Sequence, residues 1–295
     1  MGCGGEEKKG GGSSSDKKGG GAKAPKEKDG GGGAAATSEK TPIKPTAFGI
    51  IKGKVTFDGT PPPVANLNFE GNKDKDHCLK GPKEDPTWIV DKDSKGVKNV
   101  VIWLRAPAGK FFDLPPDQQK PAKPQVMIHQ PFCAFEPHVE LVFPSFFDAQ
   151  TKAQKKTGQE LIVDNTAPIT HNTNYTPTKP LLDVGDNKQL ATGNILNIPL
   201  FDKQTDRAGN EDIILLQCNI HTWMRGYIVA LDHPYAAVTD DKGEYEIKNV
   251  PAGTELVIVG WHEPDQYFLP EKAKGQKIDA LKDNEVKTLD FTIKK

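Results

Sequence analysis

This 295-residue chain has little charge imbalance, few cysteines and few aromatics, and each shortage removes a class of function. A formal net charge of −1 and a pI near 6.7 argue against a nucleic-acid partner and against general attraction to a membrane surface. No apolar run approaches the roughly 20 residues that a membrane-spanning helix needs. Cys-x-x-Cys-His is absent, which excludes a c-type haem. His-Glu-x-x-His is absent too, so the zinc-peptidase reading has no motif. No long stretch has the 3.6-residue apolar period of an amphipathic helix, and the best helical candidate, 147–157, is brief and polar.

Punctuation and short runs are plentiful. With 24 prolines and 29 glycines separating short apolar segments rich in β-branched residues, the chain reads as strands and turns, an all-β protein. Residues 1–46 stand apart. Nearly half of the glycines lie there, mixed with Lys, Glu, Ser and Ala, and there is almost nothing apolar with which to build a core, so the segment reads as a disordered tether.

The densest chemistry lies in Cys218-Asn219-Ile220-His221-Thr222-Trp223-Met224-Arg225-Gly226, which puts a thiolate, an imidazole and a thioether within seven residues. A soft thiolate, neutral imidazoles and a weak axial Met form the His2Cys plus Met set that suits copper in both its oxidation states. The missing imidazole lies upstream, where the strand-like Glu160-Leu161-Ile162-Val163-Asp164-Asn165 leads into Ala167-Pro168-Ile169-Thr170-His171-Asn172. The set is then His171, Cys218, His221 and Met224, holding one copper. Two competing readings exist. Cys218 could be an ordinary buried thiol with His221 and Met224 as packing residues, or zinc could use Cys218, His171 and His221, although a thioether is a poor fourth ligand for it.

These two segments resemble the copper-binding halves of a cupredoxin, and the Cys-x2-His-x2-Met loop resembles that of the amicyanin type. The resemblance covers 125–232. It implies a Greek-key β-sandwich, a role for Asn172 in tying the two ligand loops together, and a His221 edge that reaches the surface in an apolar patch. Trp223 would then border the port where a redox partner docks. In multicopper relatives, histidines flank the Cys; here the neighbours are Gln217 and Asn219. A binuclear copper centre needs a second Cys four residues on, where this chain has Thr222. The resemblance therefore implies a blue copper electron carrier serving a donor and an acceptor protein, and not an enzyme. An alternative is a surface copper-binding or adhesive protein in which the metal is structural or stored. A copper enzyme of the nitrite-reductase type ranks below both.

A second pattern surrounds the first. Thr239-Asp240-Asp241-Lys242-Gly243-Glu244-Tyr245-Glu246-Ile247 and Val250-Pro251-Ala252-Gly253 resemble the hairpin and turn of carboxypeptidase regulatory-like domains, which are small transthyretin-like β-sandwiches. Together with the strand-like 49–57 and 97–104, this implies a split sandwich, 48–105 with 233–295, interrupted by the copper segment. Tandem domains, with 48–232 as one enlarged cupredoxin, are the alternative. Trp261-His262-Glu263-Pro264 reads as a strand end whose Trp packs and whose polar residues are solvated.

Met1-Gly2-Cys3-Gly4-Gly5 resembles the start of a mature bacterial lipoprotein, which implies a lipid on Cys3 and a membrane tether. No apolar stretch precedes Cys3, so the chain as written has no export signal: either its true start lies upstream or the protein is cytosolic. Glu6 disfavours N-myristoylation. With Cys218 on copper and Cys3 on lipid, Cys78 and Cys133 remain as a candidate disulfide, which fits a periplasmic or cell-surface location. Asp76, His77, Cys78, His129, Cys133 and His138 could instead build a second metal site.

Overall fold

In the computed structural model, which describes residues 1–2, 40–178, 185–200 and 208–294, the chain is all-β. Among the described residues the α-helix is limited to one turn, Lys75–Cys78, alongside two short 3-10 turns. The 147–157 segment is a hairpin instead of a helix: Ser145–Asp148 pairs antiparallel with Ala153–Lys156. The reason is local. Asp148 Oδ1 accepts the amides of Gln150 (2.7 Å) and Thr151 (3.0 Å), and Lys152 takes φ 53°, a turn chemistry that outweighs a weak helical pattern.

Among the described residues four main sheets enclose three of the four buried apolar clusters. A five-stranded sheet has the order Asp186–Leu190, His171–Pro177, Glu211–Gln217, Arg225–Leu231, Val139–Val142. A three-stranded sheet, Ile195–Ile198, Glu160–Asp164, Gln125–His129, covers one face of it, with Val126, Ile128, Leu161 and Val163 meeting Ile214, Leu216 and Ile228. A third sheet has Val101–Arg105 between Ala236–Val238 and Leu256–His262. In the fourth, Phe48–Asp58 pairs with Glu244–Pro251, Val286–Thr288 and Phe291–Lys294.

The third sheet is apolar on both faces, which is why its strands read as near-continuous hydrophobic runs instead of alternating ones. Ile102, Leu104 and Ile258 face Ile51, Val55 and Ile247 of the fourth sheet. Val101, Trp103, Val259 and Trp261, one residue out of phase, face Val139, Val229 and Leu231 of the five-stranded sheet. A period of two assigns the faces, and each fully buried aliphatic side chain contributes about 1.5–3 kcal/mol.

The Thr239–Tyr245 region forms a tight turn. Asp240 Oδ1 accepts the amides of Lys242 (2.8 Å) and Glu244 (2.9 Å), and Gly243 has φ 75° with its Cα so close that a Cβ would meet the Val55 carbonyl at 2.4 Å. Beyond it Tyr245 and Ile247 are buried while Glu244 and Glu246 are exposed. No described helix is long and apolar enough to cross a membrane.

Candidate metal centre

The ligand loop closes a hairpin. Glu211–Gln217 and Arg225–Leu231 pair antiparallel, with Gln217 opposite Arg225, so 218–224 must reverse direction at one end of the sheet. His171 begins the neighbouring strand, whose Asn174 lies opposite Gln217, and strand pairing thereby brings 171 and 218–224 to the same end. Inside the loop the Cys218 amide donates to the Met224 carbonyl (3.1 Å) and the Met224 amide to the His221 carbonyl (2.8 Å).

Three donor atoms converge there. Cys218 Sγ lies 4.0 Å from His171 Nδ1 and 3.7 Å from His221 Nδ1, and the two Nδ1 atoms are 3.1 Å apart. First-row ions take imidazole nitrogen and thiolate sulfur at about 2.0–2.3 Å, so a nitrogen and a sulfur on one ion stand at most about 4.3 Å apart. All three edges are within that limit, and the donor triangle fits a single ion. His171 and His221 are fully buried, and Cys218 and Met224 nearly so; Met224 packs in the same cluster as Cys218.

The triangle is braced from behind. Asn172 Oδ1 accepts the amides of Asn219 (2.7 Å) and Ile220 (3.3 Å) and lies 3.3 Å from Cys218 Sγ, while its Nδ2 donates to Asn187 Oδ1 (2.6 Å). One side chain thus joins the strand carrying His171 to the loop carrying the thiol. His171 Nε2, by contrast, is buried with no hydrogen-bond partner among the described residues. Facing Nδ1 atoms 3.1 Å apart on two buried rings share at most one proton between them, an arrangement that a cation resolves.

Burial, followed by the neighbouring His221, lowers the His171 pKa to about 4. His221 is lowered chiefly by burial, against the pull of Asp74. Both imidazoles are therefore neutral near pH 7, the form that ligates metal.

No protein-family model matches the chain, and no curated protein matches it in sequence. Among solved structures, a purple cupredoxin from Nitrosopumilus maritimus aligns with 36% of this chain and 98% of its own at 13% identity, with a TM-score of 0.24. That likeness is too slight to weigh. The chemistry rests on the donors themselves.

The His221 edge does not reach an apolar surface patch. The ring is fully buried and its Nε2 meets Asp74 Oδ2 at 3.2 Å. Trp223 is half-buried, with Phe69 standing edge-on to it at 4.9 Å, and it lines a shallow depression of about 440 Å³ with Asn68, Glu70, Asn72, Ile220 and Thr222. The rim is largely polar because the 66–84 segment folds across this end of the sheet. Asp74 and Phe69 had no motif to mark them in the sequence.

Cys78 and Cys133 form a disulfide with Cα atoms 5.3 Å apart, and their sulfurs lie within 4.8 Å of a His221 ring nitrogen. The proposed second metal site does not assemble. His77 Nε2 is 2.9 Å from the Pro131 carbonyl, His129 Nδ1 2.6 Å from Asp164, and His138 Nε2 2.7 Å from Glu263. Cys3 and most of residues 1–46, the segment expected to be a tether, lie outside the described residues.

His262 and Glu263 are not solvated as the sequence suggested; both are buried. Glu263 forms an ion pair with Arg225 (Nε to Oε1, 2.7 Å) and accepts from the Tyr227 hydroxyl (3.1 Å) besides meeting His138, and His262 Nδ1 faces Asp265 Oδ2 at 3.0 Å. A buried carboxylate needs such partners, and they come from segments far away in sequence.

Without a bound metal the protein should weaken in acid. His171 and His233 both have folded-state pKa values lowered by burial from 6.5 to about 4, so the unfolded state takes up protons first. The stability from keeping them neutral is complete above about pH 6.5 and is lost as the pH falls toward about 4, at up to about 1.4 kcal/mol per pH unit per histidine. Asp232, pushed by burial from 3.8 to about 6, works in the opposite sense over the same window, but His221, lowered in the same direction as the other two, leaves the histidines' loss the larger. The urea midpoint should fall between about pH 7 and pH 5; a midpoint that rises over that window would contradict the neutral burial of these imidazoles.

Proposed function

We propose that the protein is a mononuclear copper protein that carries single electrons between redox proteins outside the cytoplasm. The observation that carries this reading is the buried triangle of Cys218 Sγ, His171 Nδ1 and His221 Nδ1, with edges of 3.1–4.0 Å. When bound there, copper supplies one-electron exchange between Cu(II) and Cu(I), for which a thiolate, two imidazoles and the weak axial thioether of Met224 are suited.

The chain's own residues favour outer-sphere transfer over catalysis. The donors are buried, so water and substrate have no approach to the centre, and Asn172 fixes their relative positions in advance. Gln217 and Asn219 flank Cys218 and offer no ligands for a further copper. Trp223, beside His221 with ring centroids 5.6 Å apart and half-buried on the rim, is the side chain we assign to partner docking.

Strand pairing supports the split arrangement. Phe48–Asp58 and Val101–Arg105 pair with Glu244–Pro251 and Leu256–His262, making 48–105 and 233–295 a scaffold for the metal lobe 125–232. A periplasmic or cell-surface site is supported by the Cys78–Cys133 disulfide, since such bonds persist in oxidising compartments. A lipid on Cys3 would make the N-terminal segment the tether.

The reading in which copper is stored or structural is favoured by one observation, the covering of His221 by Asp74. Titrating the full chain with Cu(II), followed by visible absorption and EPR and then reduction by ascorbate and reoxidation, separates the readings. Electron transfer predicts an intense thiolate-to-copper band with narrow hyperfine splitting that cycles fully. A band that does not cycle leaves storage, and a colourless protein or one that takes zinc in preference removes the copper reading.

A further inference from the structure

We propose that Asp74 is a positioning residue for His221 that lowers the reduction potential of the metal centre, and that the Cys78–Cys133 disulfide holds it in place. The proposal rests on the copper reading and deepens it.

The carboxylate arrives on a segment with no strand pairing to the ligand-bearing sheet, yet it is fixed at several points. Asp74 directly precedes the single helical turn, and its carbonyl accepts the amides of His77 and Cys78, each at 3.0 Å, so the Asp74 backbone is bonded to the residue that forms the disulfide. Its own amide donates to Asn72 Oδ1 (2.9 Å), and Asn72 Nδ2 donates to the Ile220 carbonyl (3.2 Å), next to His221 in the ligand loop. Phe69 packs edge-on against Trp223. Cys78 is then tied to Cys133, which follows the Gln125–His129 strand beneath the centre. Together these anchors bring Asp74 Oδ2 to 3.2 Å from His221 Nε2.

The geometry assigns roles to the two ring nitrogens. A carboxylate on Nε2 accepts its proton and leaves the lone pair on Nδ1, the atom that faces Cys218 and His171. Partners of this kind fix the tautomer and orientation of a ligating imidazole and raise its basicity, and losing one typically costs 10–100-fold in metal affinity. The carboxylate also adds a negative charge one imidazole away from the ion. The more highly charged oxidised ion gains more from that charge than the reduced one, so removing it should weaken Cu(II) binding more than Cu(I) binding.

Asp74→Asn keeps an acceptor oxygen and deletes the charge. The expected result is a 10–100-fold loss of Cu(II) affinity with a smaller loss for Cu(I), hence a higher potential, by about 59 mV for each tenfold difference between the two losses. Asp74→Glu should restore most of the shift. Replacing Cys78 and Cys133 together by Ala should move the potential the same way, and Asp74→Asn should add less in that background than in the native chain, because the two changes act through one loop.

Potentials are read by titration against a one-electron mediator, with Cu(II) affinity by competition. A native protein with no thiolate-to-copper band removes the copper reading and this proposal with it. A native protein with the band and reversible reduction, whose potential Asp74→Asn leaves unmoved or lowers, overturns this proposal alone. Full additivity with the cysteine substitutions overturns the part assigned to the disulfide.

Discussion

Cys218→Ser is expected to abolish the thiolate-to-copper absorption and, with it, the copper-dependent rise in thermal stability. The thiolate is the soft donor that suits the triangle to copper; a serine hydroxyl is a harder, neutral donor that cannot supply the charge-transfer transition. Sulfur and oxygen are also different sizes. The Sγ distances of 3.7 and 4.0 Å close around an ion because a thiolate bond is long, and a shorter oxygen bond would leave the ion displaced from at least one imidazole. The substitution should be tolerated without metal. Cys218 is buried with Met224, Phe135 and Leu216, and losing its contacts costs about 1–2 kcal/mol. Native protein with copper at 100 times its dissociation constant gains about 2.7 kcal/mol, and the variant should gain almost none. Thermal melts with and without stoichiometric copper, run with absorption spectra, check both effects. A variant that keeps the band, or whose melting temperature still rises with copper as the native chain's does, would remove Cys218 from the centre.

Much of this centre could be read from local sequence because its donors obey local geometry. A seven-residue loop between two strands forces Cys218 and His221 to one end of a hairpin, and a strand-initial His171 pairs its way to the same end. The all-β class follows similarly from short β-branched runs broken by Pro and Gly. What stayed hidden depends on chain paths with no periodicity. Asp74 stands in Asn72-Lys73-Asp74-Lys75-Asp76, a charged stretch that looks like any solvated loop, and its contact with His221 spans 147 residues. Glu263 looked solvated because nothing near it in sequence neutralises it; its partners are His138, Arg225 and Tyr227. The family resemblance placed the His221 edge at the surface, and the 66–84 segment, which no family pattern describes, covers it. The hairpin within 145–156 has no periodic signature, because its decisive feature is one Asp side chain accepting two amides.

The resemblances divide the chain into a split sandwich and the metal lobe within it, and one hydrophobic cluster draws residues from both. Trp261→Ala is the substitution expected to reveal it. Trp261 is almost fully buried, meets Tyr227 with ring centroids 5.1 Å apart, and donates its Nε1 hydrogen to Gln266 Oε1 at 3.2 Å. Its cluster takes Val101, Trp103 and Val259 from one sheet and Val139, Val229 and Leu231 from the sheet that continues directly out of the ligand loop. Truncation should cost about 3–5 kcal/mol, and Trp261→Phe should recover most of it by refilling the space. The neighbouring Glu263 sharpens the coupling. With Trp261 gone, the carboxylate that holds Arg225 and His138 loses its footing, and Arg225 immediately follows Met224. Urea unfolding of the copper-loaded protein, followed in parallel by far-UV circular dichroism and by the copper band, should therefore shift to lower denaturant in both signals, with the two midpoints remaining coincident. A copper-band midpoint that stays at its native value while the circular dichroism moves would show that the metal lobe stands without this core, as an independent unit over 125–232.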